Sequence, residues 1–182
     1  MARIILTTGG SRSGKSMYAQ KRAENLPGSR LFIATCPVVD PEMENRIARH
    51  RRERQGRGWR TLEEDLHPEA AVAGSPEADV ILIDCLTLWI NNVLFYRNTE
   101  GSETTEDYIA ERSLFLAQTC KSHAGTIFVV TNEVGSGIVP ESAETRLYRD
   151  LVGRCNQCLA TAADEVVLVS CGIPLILKNN EY

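Results

Sequence analysis

The amino-acid sequence predicts an α/β fold in which a mostly parallel sheet carries helices on both faces. Short apolar segments alternate with segments of helical periodicity along the chain. The apolar segments have almost no polar positions, which is typical of strands that are buried on both faces of a parallel sheet. The length of 182 residues is that of one ordinary domain. We therefore expect residues 1–182 to form a single domain.

Five strands and four helices follow from this pattern. The predicted strands are RIILTT (3–8), RLFIAT (30–35), DVILIDC (79–85), TIFVVTN (126–132) and EVVLVS (165–170). The predicted helices span Lys15–Leu26, Pro41–Gln55, Thr105–Lys121 and Ser142–Ala163. The second helix has a clear start, because Asp40 can cap the free amides and Pro41 suits the first helical position.

Composition and charge narrow the class of protein. The formal net charge of −4 disfavours a dedicated nucleic-acid binder. No basic leader with an apolar segment begins the chain, and no apolar run approaches the roughly 18 residues of a membrane span. Six cysteines are too few for a disulfide scaffold, and the pair Cys155 and Cys158 lacks a second pair that would complete a zinc site. We expect a cytoplasmic protein with reduced cysteines, no nucleic-acid partner and no stable membrane insertion.

A glycine-rich segment directly follows the first predicted strand and precedes the first predicted helix. Gly9, Gly14, Lys15 and Ser16 satisfy the pattern G-x-x-x-x-G-K-[ST]. Such a loop turns its backbone N–H groups inward, and the helix N-terminus favours an anion. We expect Lys15 to reach the outer phosphates of a nucleotide and the Ser16 hydroxyl to bind Mg²⁺. The alternative is a chance glycine-rich turn, which the strand and helix on either side disfavour.

Asp84 is the candidate carboxylate for the same metal. It follows four apolar residues at the end of the predicted strand DVILID. A nucleotide-bound metal commonly takes a carboxylate from the end of another buried strand. The alternative is that Asp84 caps a helix starting in CLTLWINN, and the two roles are compatible.

The predicted helix after Asp40 carries a row of basic side chains. Arg46, His50 and Arg54 recur every four residues and so share one helix face, while Arg51 and Arg52 widen the basic surface. Arginine pairs can hold phosphate oxygens in bidentate fashion. Neighbouring positive charges favour the neutral imidazole of His50, the form that can attack phosphorus. The alternatives are a solvated helix face and a nucleic-acid patch, the latter weakened by three glutamates in the same helix.

The phosphate loop alone leaves two classes open, a phosphoryl-transfer enzyme and a nucleotide-switched binding module. Guanine-nucleotide switches read the base with Asn-Lys-x-Asp after a strand. Here the strand ending in TIFVVT is followed by Asn132, Glu133, Val134 and Gly135. This difference disfavours a switch GTPase, although GTP can still be a substrate.

Several motifs occur together in one order along nearly the whole chain: GGSRSGKS, IATC, DPEMENRIARHRRER, WRTLEE, LIDCLTLWINN, TNEVGSGIVP, YRDLVGRCNQCLATAADEVVLV and GIPLILK. In this combination the sequence resembles the bifunctional adenosylcobinamide kinase/adenosylcobinamide-phosphate guanylyltransferase family of cobalamin biosynthesis. The resemblance implies a P-loop NTPase-like fold and a homotrimer. It also implies two reactions, in which adenosylcobinamide is phosphorylated by a nucleoside triphosphate and its phosphate then receives GMP from GTP, releasing pyrophosphate.

The resemblance further implies a site. The substrates would be ATP, GTP and the corrinoid, with Mg²⁺ held by Ser16 and Asp84. His50 would be the guanylylated histidine and, with Lys15, a catalytic residue. The implied nucleotide contacts are Gly9, Gly10, Ser11, Arg12, Ser13, Gly14, Lys15, Ser16, Ala34, Thr35, Cys36, Arg51, Arg52, Glu53, Arg54, Glu63 and Asp84. Two rivals stay open, a monofunctional P-loop kinase of a small alcohol and a nucleotide-dependent assembly protein.

Overall fold

A computed structural model describes residues 2–37, Ala48, Arg52 and 54–180 of the chain. Within these residues the strands are β1 (Arg3–Thr8), β2 (Arg30–Ala34), β3 (Trp59–Glu63), β4 (Val80–Asp84), β5 (Thr126–Val130), β6 (Glu165–Ser170) and β7 (Ile173–Asn179). The helices that have both ends described are α1 (Lys15–Glu24), α2 (Pro68–Ala73), α3 (Leu86–Thr99), α4 (Glu106–Ser122) and α5 (Ala143–Ala162).

The described strands form one sheet in the order β3-β2-β4-β5-β1-β6-β7. All neighbouring strands run parallel except β7, which pairs antiparallel with β6. Parallel strands need crossover connections, and helices provide them here on both faces of the sheet. The predicted α/β class with a mostly parallel sheet is confirmed.

The two faces of the sheet pack against different helices, as the alternation of side chains along each strand requires. In β4, Val80 and Leu82 pack with Ala19 and Ala23 of α1. The alternate residues Ile81 and Ile83 belong to a larger core that includes residues of α2, α3, α4 and α5. None of the helices in the described ranges is both long and apolar enough to cross a membrane.

The five predicted strands are all present, and their ends agree to within two residues. Two strands were not predicted, and both lie at the edges of the sheet: β3 is largely exposed, and β7 is mostly exposed and contains a proline. Helix α2 was also not predicted, and α3 was expected only as the alternative in which Asp84 caps a helix starting in CLTLWINN. The predicted helix over 41–55 falls mostly outside the described residues, although Ala48, Arg52 and Arg54 are helical.

Candidate functional site

A cleft of about 310 Å³ opens at the carboxyl ends of the parallel strands. Ligands of open α/β sheets bind at this edge, because the loops that leave parallel strands converge there. The cleft is lined by Ser11, Arg12, Lys15, Ser16, Phe32, Ala34, Cys36, Arg54, Thr61, Glu63, Asp84, Cys85, Thr87, Leu88, Asn132 and Tyr148. The lining combines the glycine-rich loop with residues from the ends of four strands.

The glycine-rich loop takes a conformation that side chains would obstruct. Gly9 has φ +154°, and a Cβ there would collide with the carbonyl oxygen of Val169 at the end of β6. Gly14 has φ +92° and is the residue immediately before α1. The turn between β6 and β7 supports the loop from behind, because the Gly172 N–H donates to the Ser13 carbonyl at 2.8 Å. The loop is therefore fixed by β6 as well as by its own turns.

Lys15 is the first residue of α1, and its side chain folds back over the loop. The residue is only 8% exposed. Its Nζ donates to the carbonyl oxygen of Gly10 at 3.1 Å. The ammonium thus lies above the curled backbone and beside the N-terminus of α1. The positive charge of the lysine and the partial positive charge of the helix N-terminus both favour a bound anion.

Asp84 and Ser16 both line the cleft and both offer oxygen atoms. Asp84 ends β4, and the following helix α3 has Cys85, not Asp84, as its N-cap residue, with no side-chain cap. Asp84 therefore does not occupy the N-cap position of α3. A hydroxyl and a carboxylate fit Mg²⁺, which commonly takes one or two protein oxygens and completes its shell with phosphate oxygens and water.

Thr35 cross-links the ends of β2 and β4 directly behind Asp84. Its hydroxyl donates to the Cys85 carbonyl oxygen at 2.7 Å and accepts from the Cys85 N–H at 2.8 Å. Its own backbone carbonyl accepts from Nδ2 of Asn92 on α3, also at 2.7 Å. Thr35 is fully buried. These bonds hold the backbone that follows Asp84 and so orient its carboxylate.

The wall of the cleft at β2 and β3 is partly aromatic and partly charged. Phe32 pairs with Thr61, and Ala34 pairs with Glu63, so that these four side chains project from one face of the sheet. The guanidinium carbon of Arg54 lies 3.6 Å from the centre of the Phe32 ring. This cation-π contact buries Arg54 while keeping its positive charge in the cleft wall.

Two further titratable side chains in the cleft are held in their neutral form. Burial and the adjacent Asp84 carboxylate raise the pKa of the Cys85 thiol to about 11. Burial raises the pKa of Tyr148 to about 12, and its hydroxyl donates to the Thr87 carbonyl at 3.1 Å. Neither group supplies a base or a thiolate nucleophile near neutral pH.

The structure brings many of the predicted site residues to this cleft and leaves others apart. Those that line it are Ser11, Arg12, Lys15, Ser16, Ala34, Cys36, Arg54, Glu63 and Asp84. Gly9, Gly10, Ser13 and Gly14 form the loop backbone, Thr35 lies behind the cleft surface, and Arg52 is exposed without lining it. The predicted His50, Arg51 and Glu53 lie outside the described residues.

Sequence reasoning missed seven residues that line the cleft: Phe32, Thr61, Cys85, Thr87, Leu88, Asn132 and Tyr148. A signal existed for two of them. Phe32 lies two positions before Ala34 in a strand and therefore on the same face, and Asn132 is a polar residue just beyond a buried strand. Tyr148 comes from the middle of a helix distant in sequence, and no local pattern marks it.

Comparison with known proteins gives consistent matches. A sequence model of a family described as cobinamide kinase / cobinamide phosphate guanyltransferase matches residues 5–177. The bifunctional adenosylcobalamin biosynthesis protein CobU of Salmonella typhimurium is 41% identical over 183 residues, covering 96% of this chain and 99% of that protein. CobU of Escherichia coli is 40% identical over 184 residues, with the same coverage of both chains. The bifunctional adenosylcobalamin biosynthesis protein CobP of Pseudomonas aeruginosa is 36% identical over 175 residues, covering 95% of this chain and 96% of that protein.

Proposed function

The chain belongs to the cobinamide kinase / cobinamide phosphate guanyltransferase family, and from that premise we propose that its cleft serves both reactions. In the first, a nucleoside triphosphate phosphorylates adenosylcobinamide. In the second, GTP transfers GMP to adenosylcobinamide phosphate, which gives adenosylcobinamide-GDP and pyrophosphate. The observation that carries the proposal is that one cleft joins the glycine-rich loop and Lys15 to Asp84 and Arg54. A single domain would then hold all the groups that act on the triphosphate.

The loop and its lysine would bind the triphosphate. The Lys15 ammonium and the N-terminus of α1 offset the negative charge that phosphoryl transfer redistributes. Ser16 and Asp84 would hold Mg²⁺ through their oxygens, and the bound ion would neutralise charge on the phosphate oxygens. Arg54, fixed on Phe32, adds a positive charge at the other wall of the cleft.

In the kinase reaction the hydroxyl oxygen of adenosylcobinamide forms a bond to the γ-phosphorus. The bond from that phosphorus to the bridging oxygen of the β-phosphate breaks, the nucleoside diphosphate leaves, and the hydroxyl proton passes to water. The transition state is loose, so positioning and charge neutralisation supply most of the acceleration. Lys15 and the loop amides perform that task.

In guanylyl transfer we propose His50 as a covalent relay. A neutral ring nitrogen attacks the α-phosphorus of GTP, pyrophosphate leaves, and a phosphoramidate forms. A phosphate oxygen of adenosylcobinamide phosphate then attacks the same phosphorus, and the P–N bond breaks to release His50. The sequence supports this assignment, because His50 precedes Arg54 by four residues, one helical turn, and Arg54 lines the cleft.

The position of the label tests this proposal. Incubation with Mg²⁺ and α-labelled GTP should label the protein, and the label should be labile to acid and to hydroxylamine but stable to alkali. The γ-labelled nucleotide should instead label adenosylcobinamide and leave the protein unlabelled. His50→Ala should abolish protein labelling and GMP transfer but keep at least part of the kinase activity. Transfer of the γ-label alone would indicate a monofunctional kinase, and no transfer at all would indicate an assembly protein.

We also propose that the protein is a homotrimer of the cytoplasm that binds the corrinoid as a small-molecule substrate. Self-association is supported by the edge strand β7, on which Ile173, Leu175, Ile176 and Leu177 are all more than half exposed. Exposed apolar patches of this kind mark interaction surfaces. The six free cysteines fit a reducing compartment. Sedimentation of the purified protein would measure the number of subunits.

A further inference from the structure

Asn132 lies at the centre of the ligand-binding edge of the sheet. It follows β5, the strand between β1, which leads into the glycine-rich loop, and β4, which ends at Asp84. The register places Val130 of β5 level with both Thr7 and Asp84. Beyond β5, the N–H of Thr131 donates to the Thr7 carbonyl and the N–H of Glu133 donates to the Gly9 carbonyl, both at 3.0 Å. Asn132 therefore lies beside the first residues of the glycine-rich loop.

The side chain of Asn132 projects from the same face of the sheet as the Asp84 carboxylate. Phe128 and Val130 of β5 pack against α1, and Asn132 continues this alternation by two residues. In β4, Leu82 packs in the same cluster and Asp84 follows it by two residues. Both polar side chains line the cleft, with Lys15 and Ser16 of α1 on the same face.

The backbone of Asn132 is held from the opposite face of the sheet. Nδ2 of Asn156 on α5 donates to the Asn132 carbonyl at 3.0 Å. The Thr131 hydroxyl, which is fully buried, donates to Oδ1 of Asn156 at 2.7 Å. These bonds fix the position of the residue without using its side chain.

The side-chain oxygen of Asn132 has an unused capacity to accept hydrogen bonds. Oδ1 is buried and has no hydrogen-bond partner among the described residues. An unsatisfied buried acceptor costs stability and calls for a functional explanation. A phosphate group carries acceptors and cannot satisfy it, whereas a hydroxyl group can donate to it. The residue as a whole is only partly buried and lines the cleft. A half-turn of the amide exchanges its oxygen and nitrogen, and this turn presents Oδ1 to a hydroxyl bound in the cleft.

We propose that Asn132 is a catalytic residue of the kinase reaction alone, an inference that rests on the proposed function. Its Oδ1 accepts a hydrogen bond from the attacking hydroxyl of adenosylcobinamide and so aims the hydroxyl oxygen at the γ-phosphorus. The O–Pγ bond forms, the bridging bond to the β-phosphate breaks, and the hydroxyl proton leaves to water, because an amide orients the hydroxyl but takes no proton. A neutral amide suits this position, since a carboxylate would repel the phosphate.

The same geometry makes Asn132 dispensable for guanylyl transfer. In that reaction the corrinoid enters already phosphorylated, so the acceptor hydroxyl is absent and attack is at the α-phosphorus. Arg54 contacts Phe32 of β2, which lies two strands from β5, a separation of about 10 Å at the usual strand spacing. The two reactions would therefore use different parts of one cleft.

The test compares Asn132→Leu, which keeps the shape but removes both hydrogen-bonding groups, with the same substitution at the exposed Asn91 of α3. The kinase reaction is followed with γ-labelled nucleotide and adenosylcobinamide. Guanylyl transfer is followed separately with α-labelled GTP and adenosylcobinamide phosphate, so that it does not depend on the kinase step. Asn132→Leu should lower kinase kcat about 100-fold, as loss of one aligned hydrogen-bonding group at a reacting centre does. The kcat of guanylyl transfer should stay within about threefold of the parent value. A loss confined to the kinase reaction would show that Asn132 acts in that reaction only.

Three results would overturn the inference: unchanged kinase activity, an equal fall in both reactions, or the same loss in Asn91→Leu. Asn132→Ser has a hydroxyl that can donate and accept hydrogen bonds, so this variant should have more kinase activity than Asn132→Leu. If the leucine variant does not fold, the serine variant is compared with the parent protein instead. No recovery with serine in a folded protein would also count against the inference. The two assays of the parent protein test the proposed function separately. If the parent protein lacks either reaction, the proposed function is wrong, whatever the activities of the variants.

Discussion

Replacing Thr35 by valine should weaken both the fold and the magnesium response, because its hydroxyl holds the backbone after Asp84. Valine has nearly the same shape but no hydroxyl. It would leave the Cys85 N–H without the partner it now has at 2.8 Å. The Cys85 carbonyl oxygen would lose its 2.7 Å bond from the Thr35 hydroxyl but would keep the bond from the Trp89 N–H at 3.2 Å. Thr35 is fully buried, so water cannot replace these bonds without a structural change.

The size of the effect follows from those two bonds. An unsatisfied buried donor or acceptor costs about 1–3 kcal/mol. Because only the N–H is left without a partner and the carbonyl oxygen loses one of its two bonds, we expect a loss of about 2–3 kcal/mol in the free energy of unfolding. Thr35→Ser keeps the hydroxyl and loses one buried methyl group, so it should cost only about 1 kcal/mol.

Two assays check this expectation. Urea unfolding gives the stability of the parent protein and of both variants. A magnesium titration of the kinase rate should then show a higher half-saturating concentration for Thr35→Val than for Thr35→Ser, because the valine variant no longer fixes the Asp84 backbone. Equal stability of the two variants would refute the role of the hydroxyl. A destabilised valine variant with the parent magnesium curve would make Thr35 a purely structural residue.

Two other substitutions give distinct expectations. Asp84→Asn should raise the magnesium requirement more than it weakens nucleotide binding, since in the proposed site the carboxylate would bind the metal while the loop amides would hold the phosphates; lower stability with an unchanged magnesium titration would contradict this role. Glu165 is buried at the start of β6, where hydrogen bonds from Arg22 and the charge of Arg3 hold its pKa below the ordinary 4.5. Its charge therefore adds stability that is complete above about pH 4.5 and is lost as the pH falls through its lowered folded value. The unfolding free energy of Glu165→Gln should vary less with pH across this acid range than that of the parent protein, and parallel curves would refute the assignment.

The sequence predicted the interior of the fold better than its edges. Central strands such as β4 are covered on both faces, so they appear as continuous apolar runs. The edge strand β3 has the sequence WRTLE and is largely exposed, and β7 contains Pro174, so neither shows the pattern of a buried strand. Helix α2 has only six residues, too few for helical periodicity, and α3 follows β4 almost directly with apolar residues around much of its surface.

The candidate site was predictable where its residues are neighbours in sequence. The glycine-rich loop is a continuous motif, and Asp84 ends a recognisable strand. Arg54 was predicted within a basic helix face, but its contact with Phe32 depends on how that segment packs against β2. The hydrogen bonds of Thr35 to Cys85 and of Asn156 to Asn132 join residues from separate elements. Only the tertiary structure shows such pairs.

The central claim is that one nucleotide-binding cleft carries both reactions, and Lys15→Ala tests it most directly. The Lys15 ammonium lies over the loop that would bind the triphosphate in either reaction. Its removal should lower both kinase and guanylyl-transfer rates by roughly a thousandfold, the usual effect of losing several kcal/mol of charge stabilisation in the transition state. Lys21→Ala, at an exposed position of the same helix, should leave both rates near those of the parent protein. If Lys15→Ala loses one reaction while the other continues at the parent rate, the two reactions use separate sites and the account is wrong.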